Sequence, residues 1–407
     1  MSRMRRRRFI TGLLGLGATP LLARPVHAAR VRHVIVAGTV SFTGRFAAFG
    51  EAVHRGVGLW ADQVNAAGGL SEMEVWAVFE DDKSDPDVAR RHFERLAPGS
   101  DLLIAPYGSG LTRAVLPVVE VAGRPCLAPS AGDRALWAQS RDWTVQLLNP
   151  SDTMLQGVVD LADRVGLGTA AFLHREDPFS RTVVEGAARH ARRVGLDVRA
   201  ILTYRSESRA REAARRLAED RPQLVAGTGF RPGGAGSGFL EDALMLLEVL
   251  AEAGIEAPLL CLGIGAADRR FPARAGPAAE GVVGSTGWRT YIKTPGNDAF
   301  VRAFRARWGE TPDIHAVQGY AAGELLAKAW HQAAAGERRP APAPVRDALF
   351  GLDTETVFGR FLVDERGLQV GKTNALVQWR QGEPRVVWPA RYATGAFTPR
   401  SARKEGK

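Results

Sequence analysis

The feature that most restricts this 407-residue chain is an alternation of short β-rich runs and helical stretches that runs through once and then begins again. The first set of runs lies at 33–40, 74–80, 102–105 and 126–128. Between them Val53, Val57, Trp60, Ala61 and Val64 fall on one helical face, as do Val115, Val118, Val119 and Ala122. Strands that alternate with helices build βαβ units and a parallel sheet, because parallel neighbours can be joined only by a long crossover. The pattern restarts with runs at 170–173, 198–204, 224–226 and 259–262, separated by helical stretches at 180–194, 209–219 and 239–253. Two successive sheets imply two lobes. After 281–287 the helices return at 297–308 and 315–335 with too few strands for a third sheet, so these helices are expected to rejoin the first lobe. Residues 340–344, with three prolines, read as a stiff extended connector, and 375–380 with 385–388 as an antiparallel pair around Gly382. The fold class is therefore α/β with two mainly parallel sheets.

The formal charge of +10 suggests a nucleic-acid partner until it is located along the chain. Six units come from the arginines of residues 1–28, which hold no acid, and three from residues 400–407, leaving +1 on the body between. A balanced body has no electrostatic footprint for a phosphate backbone. Arg5 to Arg8, an apolar stretch over 9–23 and the small residues before Ala28 and Ala29 read instead as a secretory signal over 1–28. Arg6-Arg7-Arg8-Phe9-Ile10 resembles a twin-arginine export motif, with the general secretory route as the alternative. Residues 391–407 read as a basic tail. Cys126 and Cys261 sit in apolar runs of different halves and are expected to be buried and unpaired.

Reaction chemistry is sparse. The eight histidines form no pair at metal-ligand spacing, and no paired-cysteine motif exists. Residues 367–373 imitate a phosphate loop but are one residue short and precede a strand rather than a helix, so they read as a turn. Gly227 to Gly229 and Gly263 to Gly265 follow strands without completing a dinucleotide fingerprint. Ser109 lies between glycines at a spacing unlike that of a nucleophile elbow. No catalytic residue, metal or cofactor is expected. The loops 105–112 and 128–133 stand where a strand gives way to a helix, and free backbone N–H groups there suit a carboxylate or another acceptor.

Thr43 to Gly50, Asn65 to Leu70, Asp81 to Pro86, Tyr107 to Ala114, Ala128 to Gly132, Asn149 to Asp152 and His315 to Ala322 follow one another at characteristic distances. Through them the chain resembles the leucine/isoleucine/valine-binding type of periplasmic solute-binding protein that serves ABC importers. The resemblance implies two Rossmann-like lobes and three chain crossings, placed near Asn149, Ser285 and Phe358. On that basis lobe 1 comprises 29–149 and 286–358, and lobe 2 comprises 150–285 and 359–390. It further implies a soluble monomer in the periplasm, a small-molecule ligand and a membrane permease as partner.

The resemblance also implies a ligand site: Phe49, Tyr107, Ser109, Ala131 and Gly132 from the first lobe, facing Phe179, Phe230 and Gly265 from the second. Ser109 and Ala131 match the family's carboxylate-holding side, whereas Gly132 replaces its usual hydroxyl residue and Gly265 its ammonium-pairing acid. An ammonium buried without its acid costs several kcal/mol. The ligand is therefore expected to be a small aromatic or carboxylic compound rather than a standard amino acid, with glycine leaving room and Arg45 or Arg231 available for charge. The alternatives carried forward are a periplasmic sensory scaffold on the same fold and a Tat-exported enzyme.

Overall fold

A computed structural model describes residues 33–139, 141–231 and 238–400; the expected signal segment and the last seven residues of the expected tail lie outside them. The first sheet contains β1 (Val34–Val40), β2 (Val75–Asp81), β3 (Leu102–Ile104), β4 (Cys126–Ala128) and β5 (Thr144–Gln146), all parallel, in the order β2-β1-β3-β4-β5. The second contains β6 (Thr169–Arg175), β7 (Asp197–Tyr204), β8 (Leu224–Thr228), β9 (Leu259–Cys261) and β10 (Val283–Thr286) in the matching order β7-β6-β8-β9-β10. A small hairpin, β11 (Thr354–Thr356) and β12 (Gly359–Phe361), precedes β13 (Ala375–Arg380) and β14 (Glu383–Trp388), which extend the second sheet antiparallel beyond β10. These are two lobes of mixed α/β structure with mainly parallel central sheets.

Each sheet is covered on both faces, and the period-two alternation of strand side chains shows how. Leu102, Ile104 and Leu127 join one core with the helices Ala47–Ala66, Asn297–Trp308 and Ile314–Ala334, while Leu103, Cys126 and Ala128 join another with Pro86–Leu96 and Ser109–Ala122. The helices at 297–334 thus pack with the first sheet. Close approach of Ile314–Ala334 to Ala47–Ala66 depends on glycine: a Cβ at Gly56 would meet the Ala316 carbonyl oxygen at 1.9 Å, and one at Gly319 the Val53 oxygen at 2.1 Å. In the second sheet Ala171, Leu173, Val225 and Leu260 face one core, and Ala170, Phe172, Leu224 and Cys261 the other. Cys126 and Cys261 are unpaired and fully buried, on the fourth strand of each parallel set.

Three segments run between the lobes, and a buried hydroxyl ties them together. Ser285 Oγ donates to the Met154 carbonyl at 2.7 Å and accepts from Asn374 Nδ2 at 3.3 Å. The third segment corrects the sequence expectation. Residues 359–369 stay with the first lobe: Gln146 N–H donates to the Gly367 carbonyl at 2.8 Å, Gln369 Nε2 to the Leu147 carbonyl at 3.2 Å, and Leu368 enters the first lobe's core. The chain leaves for β13 only after Gln369, later than Phe358, because the β12 turn returns it to β5 first. Residues 340–344 are likewise no extended connector. Pro342 opens the helix Pro342–Gly351, where its missing N–H costs nothing. Within the expected tail, Thr398 exchanges two hydrogen bonds with the Gln378 side chain and Arg400 N–H donates to the Pro258 carbonyl, so residues up to 400 are bound to the second sheet.

Candidate functional site

In an open parallel sheet the crevice for a ligand opens at the carboxyl ends of the strands flanking the point where strand order reverses. Both lobes have that point, between β1 and β3 and between β6 and β8. Phe49 lies on the helix following β1 and Tyr107 directly follows β3; their rings stack at 4.9 Å. His315, at the start of Ile314–Ala334, adds a third ring, 4.9 Å from Phe49 and 5.1 Å from Tyr107. Burial, with a smaller contribution from the charge of Asp313, pushes the Tyr107 phenol up to about 12. Gly108, at φ 81°, turns the chain so that Ser109 opens the next helix.

Ser109 Oγ accepts from the Asp133 N–H at 3.1 Å and so joins the loop after β3 to the loop after β4, which carries Ala131 and Gly132. The Ala131 carbonyl is held by Gln146 Nε2 at 2.7 Å. Among the described residues no protein acceptor takes the N–H groups of Ala131 and Gly132. They remain available as donors, as do the first-turn N–H groups of Ser109–Ala122. Ser130 Oγ donates to Gln318 Oε1 at 2.6 Å, fixing this loop to the helix that carries His315. The five first-lobe candidates are therefore assembled along one edge.

The second-lobe candidates meet at a residue the sequence reading passed over. Phe179, on the helix following β6, and Phe230, directly after β8, both pack edge-on against Phe239, at 5.8 and 5.1 Å. Gly265, after β9, lies against the same residue: a Cβ there would sit 1.9 Å from the Phe239 carbonyl oxygen. That contact corrects the idea that Gly265 leaves room for a larger ligand, since the space belongs to the helix Gly238–Glu252. Gly132 is packed too, its missing Cβ 2.6 Å from Ser151 Oγ. Arg45 lies over the Phe46 ring at 4.6 Å, and Arg231 is exposed. No ring contact joins the two aromatic groups among the described residues.

The second lobe does contain a buried acid at this edge. Asp242 is fully buried, accepts from the Tyr204 hydroxyl at 2.5 Å and pairs with Arg175 at 3.2 Å. Burial raises its carboxyl above the usual range, and the Tyr204 bond and the Arg175 charge only partly offset this. A side chain at Gly229 would strike the Asp242 carboxylate, so the glycine after β8 exists to admit this network. No sequence signal marks Asp242 or Phe239, which read as ordinary residues of an amphipathic helix. His315 opens the run 315–322, and only its packing on Phe49 and Tyr107 makes it part of the site. No group of metal-ligating side chains occurs among the described residues.

A family model described as periplasmic binding protein matches residues 34–384. The chain belongs to the periplasmic binding protein family. A Leu/Ile/Val-binding protein homolog of Brucella abortus is 24% identical over 364 residues, covering 86% of this chain and 91% of that protein. An ABC transporter substrate-binding protein from Desulfitobacterium hafniense, solved in complex with Leu, superposes with a TM-score of 0.69 at 18% identity, over 87% of this chain and all of that one. A solute-binding protein of an R. palustris ABC transporter, solved with benzoate, gives 0.64 at 23% identity, over 92% of this chain and 98% of that one. These likenesses support the two-lobed fold of this periplasmic binding protein. No helix among the described residues is long and apolar enough to cross a membrane.

Proposed function

We propose that this protein is the periplasmic substrate-binding component of an ABC importer, taking a small organic ligand between its lobes and presenting the closed form to a membrane permease. The observation that carries the reading is the paired arrangement of aromatic groups. Phe49 and Phe179 follow β1 and β6, and Tyr107 and Phe230 follow β3 and β8, so the same two loop positions of each lobe supply an apolar wall. Free N–H groups at Ala131 and Gly132, with the Ser109 hydroxyl, would hold an acceptor on the ligand at about 0.5–1.5 kcal/mol per neutral bond. The segments joined at Ser285 would be the hinge. Binding without turnover fits this set of groups, which offers ring faces and donors but no nucleophile beside a base.

Named relatives and neighbours bind leucine or benzoate, and the electrostatics here favour the second kind of ligand. The second-lobe acid Asp242 is already engaged by Arg175 and Tyr204, which leaves an α-ammonium without a carboxylate. Calorimetric titration of the purified mature chain with leucine, isoleucine and valine against benzoate and related aromatic acids tests this, with small-angle scattering to read closure. The expected result is weak or absent binding of the three amino acids and compaction with an aromatic acid. Micromolar leucine binding would show that Asp242 or another acid serves an ammonium after all. Binding of no ligand, with no compaction, would favour the sensory scaffold.

A further inference from the structure

The segment that carries the chain from β10 back to the first lobe brings a cation to the carboxyl ends of the second sheet. Trp288 anchors it, buried in the first lobe's core with its indole N–H on Asn297 at 3.0 Å. Gly287 passes 3.2 Å from Ile314, the neighbour of His315, measured from where its Cβ would stand. Between these and the second lobe lies Arg289. Its Nε donates to the Ala267 carbonyl at 2.9 Å, in the turn that follows β9, and Tyr291 shares that carbonyl at 3.4 Å. The guanidinium thus lies between the Trp288 carbonyl and the turn after β9, close enough for its charge to act on His315.

Two further observations bear on what it does there. Arg289 is half-buried, yet among the described residues its only partners are backbone carbonyls. Asp268, on whose carboxyl the Arg289 charge also acts, is held in a two-pronged pair by Arg270. A half-buried guanidinium normally has a carboxylate or phosphate partner. On the first-lobe side, His315 Nδ1 is sealed from solvent without a hydrogen-bond partner. Burial, chiefly, and the Arg289 charge lower the His315 pKa, while Asp313 and Gln318 oppose them.

We propose that Arg289 is the anion anchor of the cleft, meeting from the second-lobe side the same carboxylate that the Ser109 hydroxyl and the Ala131 and Gly132 N–H groups would hold, in a small monocarboxylic ligand whose flat apolar body lies among the Phe49, Tyr107, Phe230 and Phe239 rings. This rests on the reading of the protein as a cleft-binding importer component and names its substrate class. A guanidinium matches a carboxylate in a two-pronged geometry that a neutral amide cannot reproduce, so the site would select acids over their amides. Leucine would gain the same pair but leave its ammonium unmatched.

The test uses benzoate, phenylacetate and 4-hydroxybenzoate, each beside its amide, titrated into the mature chain and into Arg289→Gln, Arg289→Lys and the surface control Arg269→Gln. Tighter binding of at least one acid than of its amide is expected, with Arg289→Gln weakening that acid by about 30-fold or more while leaving the amide unchanged. Arg289→Lys should recover part of the loss, showing that the variants fold, and Arg269→Gln should bind like the parent. Acid binding within about threefold of the parent in Arg289→Gln, or amides bound as tightly as acids, would overturn the proposal. So would a panel in which only neutral or amino-acid ligands bind, and that result would leave the importer reading standing. Binding of nothing, with no compaction in scattering, would overturn both.

Discussion

The two lobes share a strand order and place aromatic residues at matching loops, but they bury their acids differently. In the first, Asp82 follows β2 and is fully buried with only neutral donors, the Ser41 hydroxyl at 2.5 Å and the Ser84 N–H at 2.9 Å. In the second, Asp242 is buried against a guanidinium and a phenol. Burial raises both carboxyls, and only the second has a cation to offset it. The same fold thus holds a buried acid on neutral hydrogen-bond donors in one lobe and by charge pairing in the other. The second solution couples three elements, β6, β7 and the helix Gly238–Glu252, into one rigid edge behind Phe230.

The sharpest way to break that contrast is to remove each acid. Asp242→Ala leaves the Tyr204 hydroxyl without its acceptor and Arg175 with only the Arg205 carbonyl, and is expected to cost about 3 kcal/mol, at the low end for a broken buried pair because Arg175 keeps that bond and some solvent contact. Asp82→Asn keeps a hydrogen-bonding group of the same shape without the charge and is expected to be nearly neutral at pH 7. Urea unfolding of both variants reads the difference. Equal costs would show that the Arg175 pair contributes no more than the hydroxyl contacts of Asp82.

A second comparison sets Gly265 against Gly132, which stand after the corresponding strands β9 and β4. A methyl group at 265 meets the backbone oxygen of Phe239, which can move only with its helix, whereas at 132 it meets a serine hydroxyl that can rotate. Gly265→Ala is expected to destabilise by about 1–3 kcal/mol and to shift Phe239. Gly132→Ala should cost well under about 1 kcal/mol. Thermal melts rank the two, and a reversed order would mean that the helix Gly238–Glu252 yields more easily than the 151 loop.

These positions also show what the sequence could and could not disclose. The strands were legible because buried parallel strands are short apolar runs, and the main helices because one face repeats at helical spacing. The resemblance supplied Phe49, Tyr107, Phe179 and Phe230. Gly265 was legible as a departure but not in its cause, because a helix packed on a glycine leaves no mark in the glycine's own neighbourhood. Asp242 and Arg289 were invisible for a related reason: a charged residue that is buried by contacts from 67 or 22 positions away looks, in sequence, like one on a solvated face. The late third crossing is illegible because Gly367 and Gln369 are bound to β5 and the residue after it by polar contacts, which carry no periodicity.

Where the lobes join, Lys372 offers a smaller test. Its ammonium is buried, donates to the Gly287 and Phe358 carbonyls and lies 3.8 Å from the centre of the Phe358 ring. Burial lowers its pKa to about 7, against the raising effect of Glu355. Between about 7 and the ordinary 10.5 the unfolded chain keeps a proton that the folded chain has released, so stability should rise with pH across that window. Lys372→Met should remove this share of the slope without changing either lobe's internal contacts. An unchanged slope in the variant would show that the join does not titrate.

The smallest expected effect is an equality. Cys126 on β4 and Cys261 on β9 are matched reporters, one in each lobe, both fully buried and unpaired, with burial raising both thiols so that neither reacts until its strand is exposed. Alkylation without reductant should add no label to the folded protein and two to the denatured one. In moderate urea the relative rates report whether the lobes open together. Leu148 packs against a core of each lobe, and Ser285 ties the crossing segments through buried hydrogen bonds, so opening one lobe exposes polar and apolar groups of the other. The two thiols are therefore expected to label at the same rate at every urea concentration, measured by peptide mass mapping. Faster labelling of Cys126 would make the first lobe, with its uncompensated Asp82, the weaker unit, and faster labelling of Cys261 would place the weakness in the second despite its ion pair.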